Sequence, residues 1–223
     1  MKNISVAVDG PAGAGKSSVS KAVAKNFGFV YVDTGAMYRA AALKYINLNK
    51  NKEMLVNVLS DTDIDIKYID GVQRVIMDGE DVTDLLRTQE VSVAASDVAV
   101  LPPVRLKLVD LQRKIASKKS VIMDGRDIGT YVLPNADVKI YLTASSQERA
   151  KRRCLEYEEK NVPYDFDKVK SDIEYRDYND MHREFAPLRK AEDAVLLNTD
   201  NLDFDGVVNA VSDIIKEKCN VLR

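Results

Sequence analysis

A surplus of charge of one sign is missing from this chain: 33 Lys and Arg stand against 35 Asp and Glu, a formal net charge of -2 over 223 residues. So balanced a chain offers no bulk attraction to nucleic acid or to an anionic membrane, and any basic function is local. Cysteine is scarce. Cys154 and Cys219 have no metal-ligand spacing and are expected to be reduced, inert thiols, which fits a reducing cytoplasm. Long apolar runs are lacking too, so no stretch approaches a membrane span. The segment after Met1 enters an apolar strand without the apolar core and cleavage site of a secretory signal. The one histidine, His182, falls among polar neighbours, a poor setting for a general base. No repeat, low-complexity tract or linker interrupts the chain, and its length predicts one main domain with a modest insertion.

What is present is an alternation of short apolar runs with helical patterns, the mark of a parallel sheet with crossover helices. Ile4–Val8, Phe29–Val32, Val121–Met123, Val138–Leu142 and Val195–Leu197 are aliphatic without strict alternation, as strands buried on both faces should be. Val19, Ala22, Val23 and Phe27 recur at helical spacing between the first two, and Gly28 follows at the capping position. From Asp63 to about Val100 the rhythm changes. Ile64, Ile66 and Tyr68, then Val75 and Met77, alternate with polar residues around Asp70-Gly71 and Asp78-Gly79, which predicts a small antiparallel sheet. Pro102-Pro103 closes it, and Val104, Leu108, Leu111 and Ile115 mark a helix leading back to the core.

Gly10-Pro11-Ala12-Gly13-Ala14-Gly15-Lys16-Ser17 satisfies G-x-x-x-x-G-K-[ST] between a predicted strand and helix. Glycines there let backbone N–H groups converge on phosphate oxygens, the helix N-terminus adds its dipole, Lys16 a mobile charge and Ser17 a Mg²⁺ ligand. A bare glycine-rich turn capping a helix is the bland alternative. The nucleotide itself can serve a kinase, a regulatory GTPase or a hydrolysing machine. No N/T-K-x-D guanine-reading tetrapeptide exists, since Asn51-Lys52-Glu53-Met54 lacks the Asp. Arg149, Arg152, Arg153, Arg176, Arg183 and Arg189 crowd one segment instead, which suits clamping two phosphorylated ligands under a water-excluding lid. The chain therefore reads as a kinase with a phosphorylated acceptor.

Two motifs sharpen the acceptor: Asp33-Thr34-Gly35-Ala36-Met37-Tyr38-Arg39 after the second strand and Asp124-Gly125-Arg126-Asp127-Ile128-Gly129 after the third. With R-T-Q-E-V at Arg87–Val91, E-R-A-x-R-R at Glu148–Arg153 and A-P-L-R at Ala186–Arg189, the chain resembles the bacterial cytidylate kinases over nearly its whole length. The resemblance implies an α/β P-loop NTPase fold of three layers, with a five-stranded parallel sheet, a small antiparallel insert and a short lid. The expected core is 1–62 and 101–223, with the lid at about 149–185, and 63–100 is the inserted monophosphate-binding subdomain.

The reaction so implied is Mg²⁺-dependent transfer of the γ-phosphoryl group of ATP to CMP or dCMP, within pyrimidine nucleotide metabolism, with UMP or a small metabolite as the alternative acceptor. A P-loop switch bound to a protein partner is the competing class. Gly10, Pro11, Ala12, Gly13, Ala14, Gly15, Lys16, Ser17 and Ser18 would bind ATP, with Ser17 and Asp124 near the metal. By the resemblance Thr34, Arg39 and Arg126 hold the acceptor phosphate, Ser96, Arg105, Asp127 and Arg183 read cytosine, and Arg176 and Asp180 contact the sugar. Lys16, Arg126, Arg149 and Arg153 are the expected catalytic groups. Three readings stay open. Arg176 and Asp180, at i and i+4, also suit a surface ion pair; the arginines from 149 to 153 also suit a solvated helix face; Asp124 also suits a turn cap. A phosphate monoester is mostly dianionic at neutral pH, so no base is required. A cytoplasmic monomer is expected, with no nucleic-acid or membrane partner.

Overall fold

The structure, a computed structural model, describes residues 3–159 and 161–219. In chain order its strands are β1 (Ser5–Asp9), β2 (Val30–Asp33), β3 (Ile64–Ile69), β4 (Val72–Met77), β5 (Glu80–Asp81), β6 (Val121–Gly125), β7 (Val138–Thr143) and β8 (Val195–Asn198). The helices are α1 (Lys16–Phe27), α2 (Thr34–Asn47), α3 (Lys52–Val58), α4 (Gln89–Ala99), α5 (Pro102–Ala116), α6 (Ser146–Glu159), α7 (Phe166–His182) and α8 (Phe204–Cys219). The chain divides into two compact units, Met1–Tyr31 with Lys119–Arg223, and Val32–Lys118.

The five aliphatic runs form one sheet of order β2-β6-β1-β7-β8, the parallel type that their unalternated composition demands. Val6, Val8, Ile122, Ile140 and Leu142 pack with Val19 and Val23 of α1 and Val207, Val211 and Ile215 of α8. Each such side chain contributes about 1.5–3 kcal/mol by leaving water. Register sets Asp9 opposite both Gly125 and Tyr141, so β1 and β6 end level while β7 runs two residues further, and the loops emerge on the same edge of the sheet. α6 and α7 form a helical pair that closes on Ala150, Cys154, Val169 and Ile173. Both cysteines are free thiols, and no helix among the described residues is long and apolar enough to cross a membrane.

In the unit Val32–Lys118, β3, β4 and β5 make the expected antiparallel sheet. Asp70 (φ 51°) and Gly71 (φ 75°) both take the left-handed conformation that a tight two-residue hairpin requires, and Asp78 with Gly79 repeats it. The sheet is shorter than the sequence predicts. It ends at Asp81, and a 3₁₀ turn at Thr83–Arg87 and α4 replace the strands expected toward Val100. Thr88 caps α4 by accepting from the Val91 N–H, and Val91, Ala94, Ala95 and Val98 make a helical stripe whose small residues conceal its period. This unit also holds α2, α3 and α5, and so extends beyond the antiparallel sheet on both sides.

Candidate active site

β1 delivers the chain into Gly10, where a side chain is sterically impossible: a Cβ would lie 1.9 Å from the Leu142 carbonyl oxygen. Gly13 (φ 74°) and Gly15 (φ 83°) take the left-handed turns that curl the loop, and α1 starts at Lys16 with no side-chain cap. Its first N–H groups are thus left to a ligand, as an anion site requires. Lys16 is buried, and its Nζ donates to the Pro11 carbonyl at 2.7 Å. Burial pushes this ammonium well below the ordinary lysine range and Arg126 adds to the fall, while Asp124, Asp180 and Asp9 oppose it. An incoming polyanion would favour the charged form.

Ser17 Oγ donates to Asp124 Oδ2 at 2.7 Å, so a hydroxyl and a carboxylate oxygen meet at the head of α1. Hard oxygen donors of this kind fit a Mg²⁺ that takes its remaining ligands from water and phosphate. No group of three or more His, Cys, Asp or Glu is set for a metal among the described residues.

After β6 the chain turns through Arg126 and Asp127 into a single π-turn at Ile128–Val132. Arg126 Nε donates to Asp180 Oδ2 at 2.7 Å, while Arg183 lies 3.2 Å from Asp127 Oδ1 and 3.6 Å from Asp180 Oδ1. Burial works upward on the Asp180 carboxyl, but Arg126, Arg183 and Arg176 together hold it below the usual carboxylate range. The helical face carrying Arg176, Asp180 and Arg183 thus meets the D-G-R-D loop, and the i, i+4 pair is part of a half-buried network rather than an isolated surface pair.

Asp9, absent from the sequence-based set, holds that loop. Its two carboxylate oxygens accept from the backbone N–H groups of Ile128 (2.8 Å) and Gly129 (2.7 Å). Burial pushes its carboxyl up to about 6, with Asp127 adding to the rise and the two hydrogen bonds and Lys16 pulling the other way. Raised above its unfolded value, the group favours folding fully below about pH 4, and that contribution is lost as the pH climbs through about 6. The unfolding free energy of the native chain minus that of Asp9→Asn should therefore drop by about 3 kcal/mol between pH 4 and 7 in urea titrations. A flat difference would reject burial as the cause.

The arginines of α6 divide sharply. Arg149 is buried and points into the P-loop: Nε donates to the Ala144 carbonyl and Nη1 to the Ala12 carbonyl, both at 2.9 Å, and Nη1 pairs with Asp177 of α7. Arg152 grips Thr199 through Oγ1 at 3.0 Å and the carbonyl at 2.7 Å. Arg153 stays half exposed on Glu156 and over the Tyr157 ring. His182 is exposed, with Nδ1 at 2.8 Å from the Tyr178 carbonyl and its ring stacked on Tyr178. His182→Ala should change kcat by less than about threefold, because a surface stack contributes little to chemistry. A hundredfold fall would instead make it a base.

The second unit carries the other predicted binding residues, and they are described within it. Asp33 caps α2 by accepting from the Ala36 N–H at 2.8 Å, and its Oδ2 takes Arg39 Nη2 at 3.1 Å. A Cβ on Gly35 would meet Arg39 Nη1 at 3.1 Å, so glycine leaves room for the guanidinium. Gln73 of β4 brackets the Asp33 backbone, accepting from its N–H at 2.8 Å and donating to its carbonyl at 3.2 Å. Thr34 is buried at the first turn of α2 and Ser96 is half-buried on α4. Arg105 is wholly buried, donates to the Ala99 carbonyl at 3.1 Å and lies 5.4 Å above the Tyr38 ring. Besides Asp9, sequence reasoning missed Gln73, Tyr38 and Asp177. Tyr38 alone had a signal, standing one residue before Arg39 in the quoted motif.

A profile of the cytidylate kinase family matches residues 6–217. Among curated proteins the chain is 52% identical to the cytidylate kinase of Caldicellulosiruptor saccharolyticus over 96% of either chain. It is 49% identical to that of Lactobacillus johnsonii over 96% of this chain and 94% of the relative. Among solved structures an uncharacterised protein from Eubacterium ventriosum superposes with a TM-score of 0.52 at 16% identity, covering 97% of this chain and 99% of the other, a likeness of fold alone.

Proposed function

Because the chain belongs to the cytidylate kinase family, we propose that it transfers the γ-phosphoryl group of ATP to CMP and dCMP, giving CDP or dCDP and ADP. The observation that carries the reading is one network in one unit: the P-loop lysine, the Ser17–Asp124 pair and the Arg126–Asp180–Arg183–Asp127 chain. A donor triphosphate on the loop amides would stand beside a guanidinium already oriented for a second anion. Lys16 neutralises charge as it builds on the moving group, and Arg126 holds the acceptor phosphate in line. No residue needs to remove a proton, since the acceptor phosphate is already mostly a dianion.

Ser17 and Asp124 are the groups that would hold Mg²⁺, which would screen the charge of the donor phosphates. Thr34 and Arg39 are assigned to the acceptor phosphate, Ser96, Arg105, Asp127 and Arg183 to cytosine, Arg176 and Asp180 to the sugar, and Arg149 and Arg153 to a lid spanning about 149–185. Residues 63–100 are assigned to monophosphate binding, and the protein to the cytoplasm as a monomer. Buried hydroxyl, guanidinium and carboxylate groups at those positions supply the donors and acceptors that an aminopyrimidine edge pairs with. The test is a coupled ADP-release assay over CMP, dCMP, UMP, AMP and GMP. CMP and dCMP should lead the panel by at least about tenfold in kcat/KM; if they were the poorest acceptors, the cytosine assignment would fall.

A further inference from the structure

The peptide plane between Pro11 and Ala12 is held at both ends by charged side chains. Its carbonyl accepts from Lys16 Nζ at 2.7 Å, and its N–H donates to Asp177 Oδ1 at 2.9 Å. A trans peptide is rigid, with carbonyl and N–H pointing oppositely, so Asp177 pulling on one side sets the direction of the other. The next carbonyl, that of Ala12, is taken by Arg149, which is itself paired with Asp177. Ala12, Arg149 and Asp177 thus close a ring of hydrogen bonds, each of the three no more than 7% exposed. The packing agrees, since a Cβ on Gly13 would lie 3.3 Å from Arg149 Cβ and 3.8 Å from Ile173 Cδ1, which seats the loop between α6 and α7.

We propose that Asp177 is a positioning residue for phosphoryl transfer: through the Pro11–Ala12 peptide it fixes the carbonyl that aims the Lys16 ammonium, and Arg149 serves the same ring. No motif quoted for the P-loop includes it, and it stands 165 residues from the peptide it holds. Asp177 has no need to touch a nucleotide. Its carboxylate occupies a loop N–H that would otherwise be open to phosphate, and the paired guanidinium of Arg149 cancels its charge toward the donor site.

The inference rests on the proposed kinase reading, so its test is read by ATP binding as well as by turnover. ATP is titrated calorimetrically into the native chain, Asp177→Ala and Asp177→Asn, and KM and kcat are then measured with ATP and CMP. Asp177→Ala should weaken ATP binding and raise KM for ATP by about tenfold, while KM for CMP stays within about threefold, the loss of one charge-assisted hydrogen bond on the donor side only. Asp177→Asn keeps an acceptor for the Ala12 N–H and should recover at least half of the loss on a logarithmic scale. Adding Arg149→Ala to Asp177→Ala should cost little more, because both belong to one ring. ATP affinity in Asp177→Ala unchanged within twofold, or tighter, overturns the proposal. So does an equal rise of both KM values without recovery in Asp177→Asn. If Asp177→Ala fails to fold, the asparagine variant decides by the same ATP titration: a weakening of threefold or more supports the proposal and no weakening overturns it. A native chain that binds ATP but does not phosphorylate CMP would sink the kinase reading and leave this binding test intact.

Discussion

Lys16→Ala should lose on the order of a hundred- to a thousandfold in turnover, the magnitude seen when one preorganised charge-stabilising donor is removed from a reacting centre. The buried ammonium has Asp124, Asp180 and Asp9 for neighbours, so deleting it removes a positive charge that offsets three carboxylates beside the loop. The loss should fall mainly on kcat. The loop amides and the α1 terminus still bind a triphosphate, whereas the lysine counts most as charge develops on the transferring group. The fold should not suffer. Burial disfavours the charged lysine, so its removal lifts a penalty, and the variant should melt at or above the native temperature. Turnover within tenfold of native would dismiss the P-loop assignment.

Arg126→Ala should be nearly as severe, but on the acceptor side. A guanidinium making two charge-assisted hydrogen bonds to phosphate is worth about 3–6 kcal/mol, so kcat/KM for CMP should fall on the order of a thousandfold while KM for ATP moves less than about threefold. Asp180 then loses its 2.7 Å bond from Arg126 and keeps Arg183 at 3.6 Å and the field of Arg176, which loosens the face that is proposed to hold the sugar. Arg126→Lys retains the charge without the planar fork, and should recover no more than about tenfold. Steady-state kinetics with each nucleotide varied in turn decides the matter, and an unchanged KM for CMP would remove Arg126 from the acceptor site.

The parts legible in sequence are those whose cause is local. Val6, Val8, Ile122, Ile140 and Leu142 advertise strands because burial on both faces leaves no polar alternation. Gly10 to Ser17 announce phosphate binding because the backbone needs glycine there. Asp70-Gly71 and Asp78-Gly79 mark turns for the same reason. What stayed hidden depends on distant partners. Asp9 meets the N–H groups of Ile128 and Gly129 across 119 and 120 residues, and a lone Asp at a strand end carries no mark of such a bond. Arg149 reads as a lid arginine, yet its guanidinium ends on the loop main chain 137 residues away. α4 was misread for a simpler reason, since Ala94 and Ala95 bury a face with too little apolar contrast to reveal a helical period.

One consequence follows from the place where the chain leaves by β2 and returns by β6. Val30 N–H donates to the Ser120 carbonyl at 2.9 Å, so the exit at Tyr31 and the return at Lys119 leave from hydrogen-bonded neighbours. The second unit is the continuous segment of 87 residues between them, Val32 to Lys118. Exchange of that segment would replace Thr34, Arg39, Ser96 and Arg105 together, the proposed acceptor contacts that it carries, and would leave Arg126, Asp127, Arg176, Asp180 and Arg183 in place.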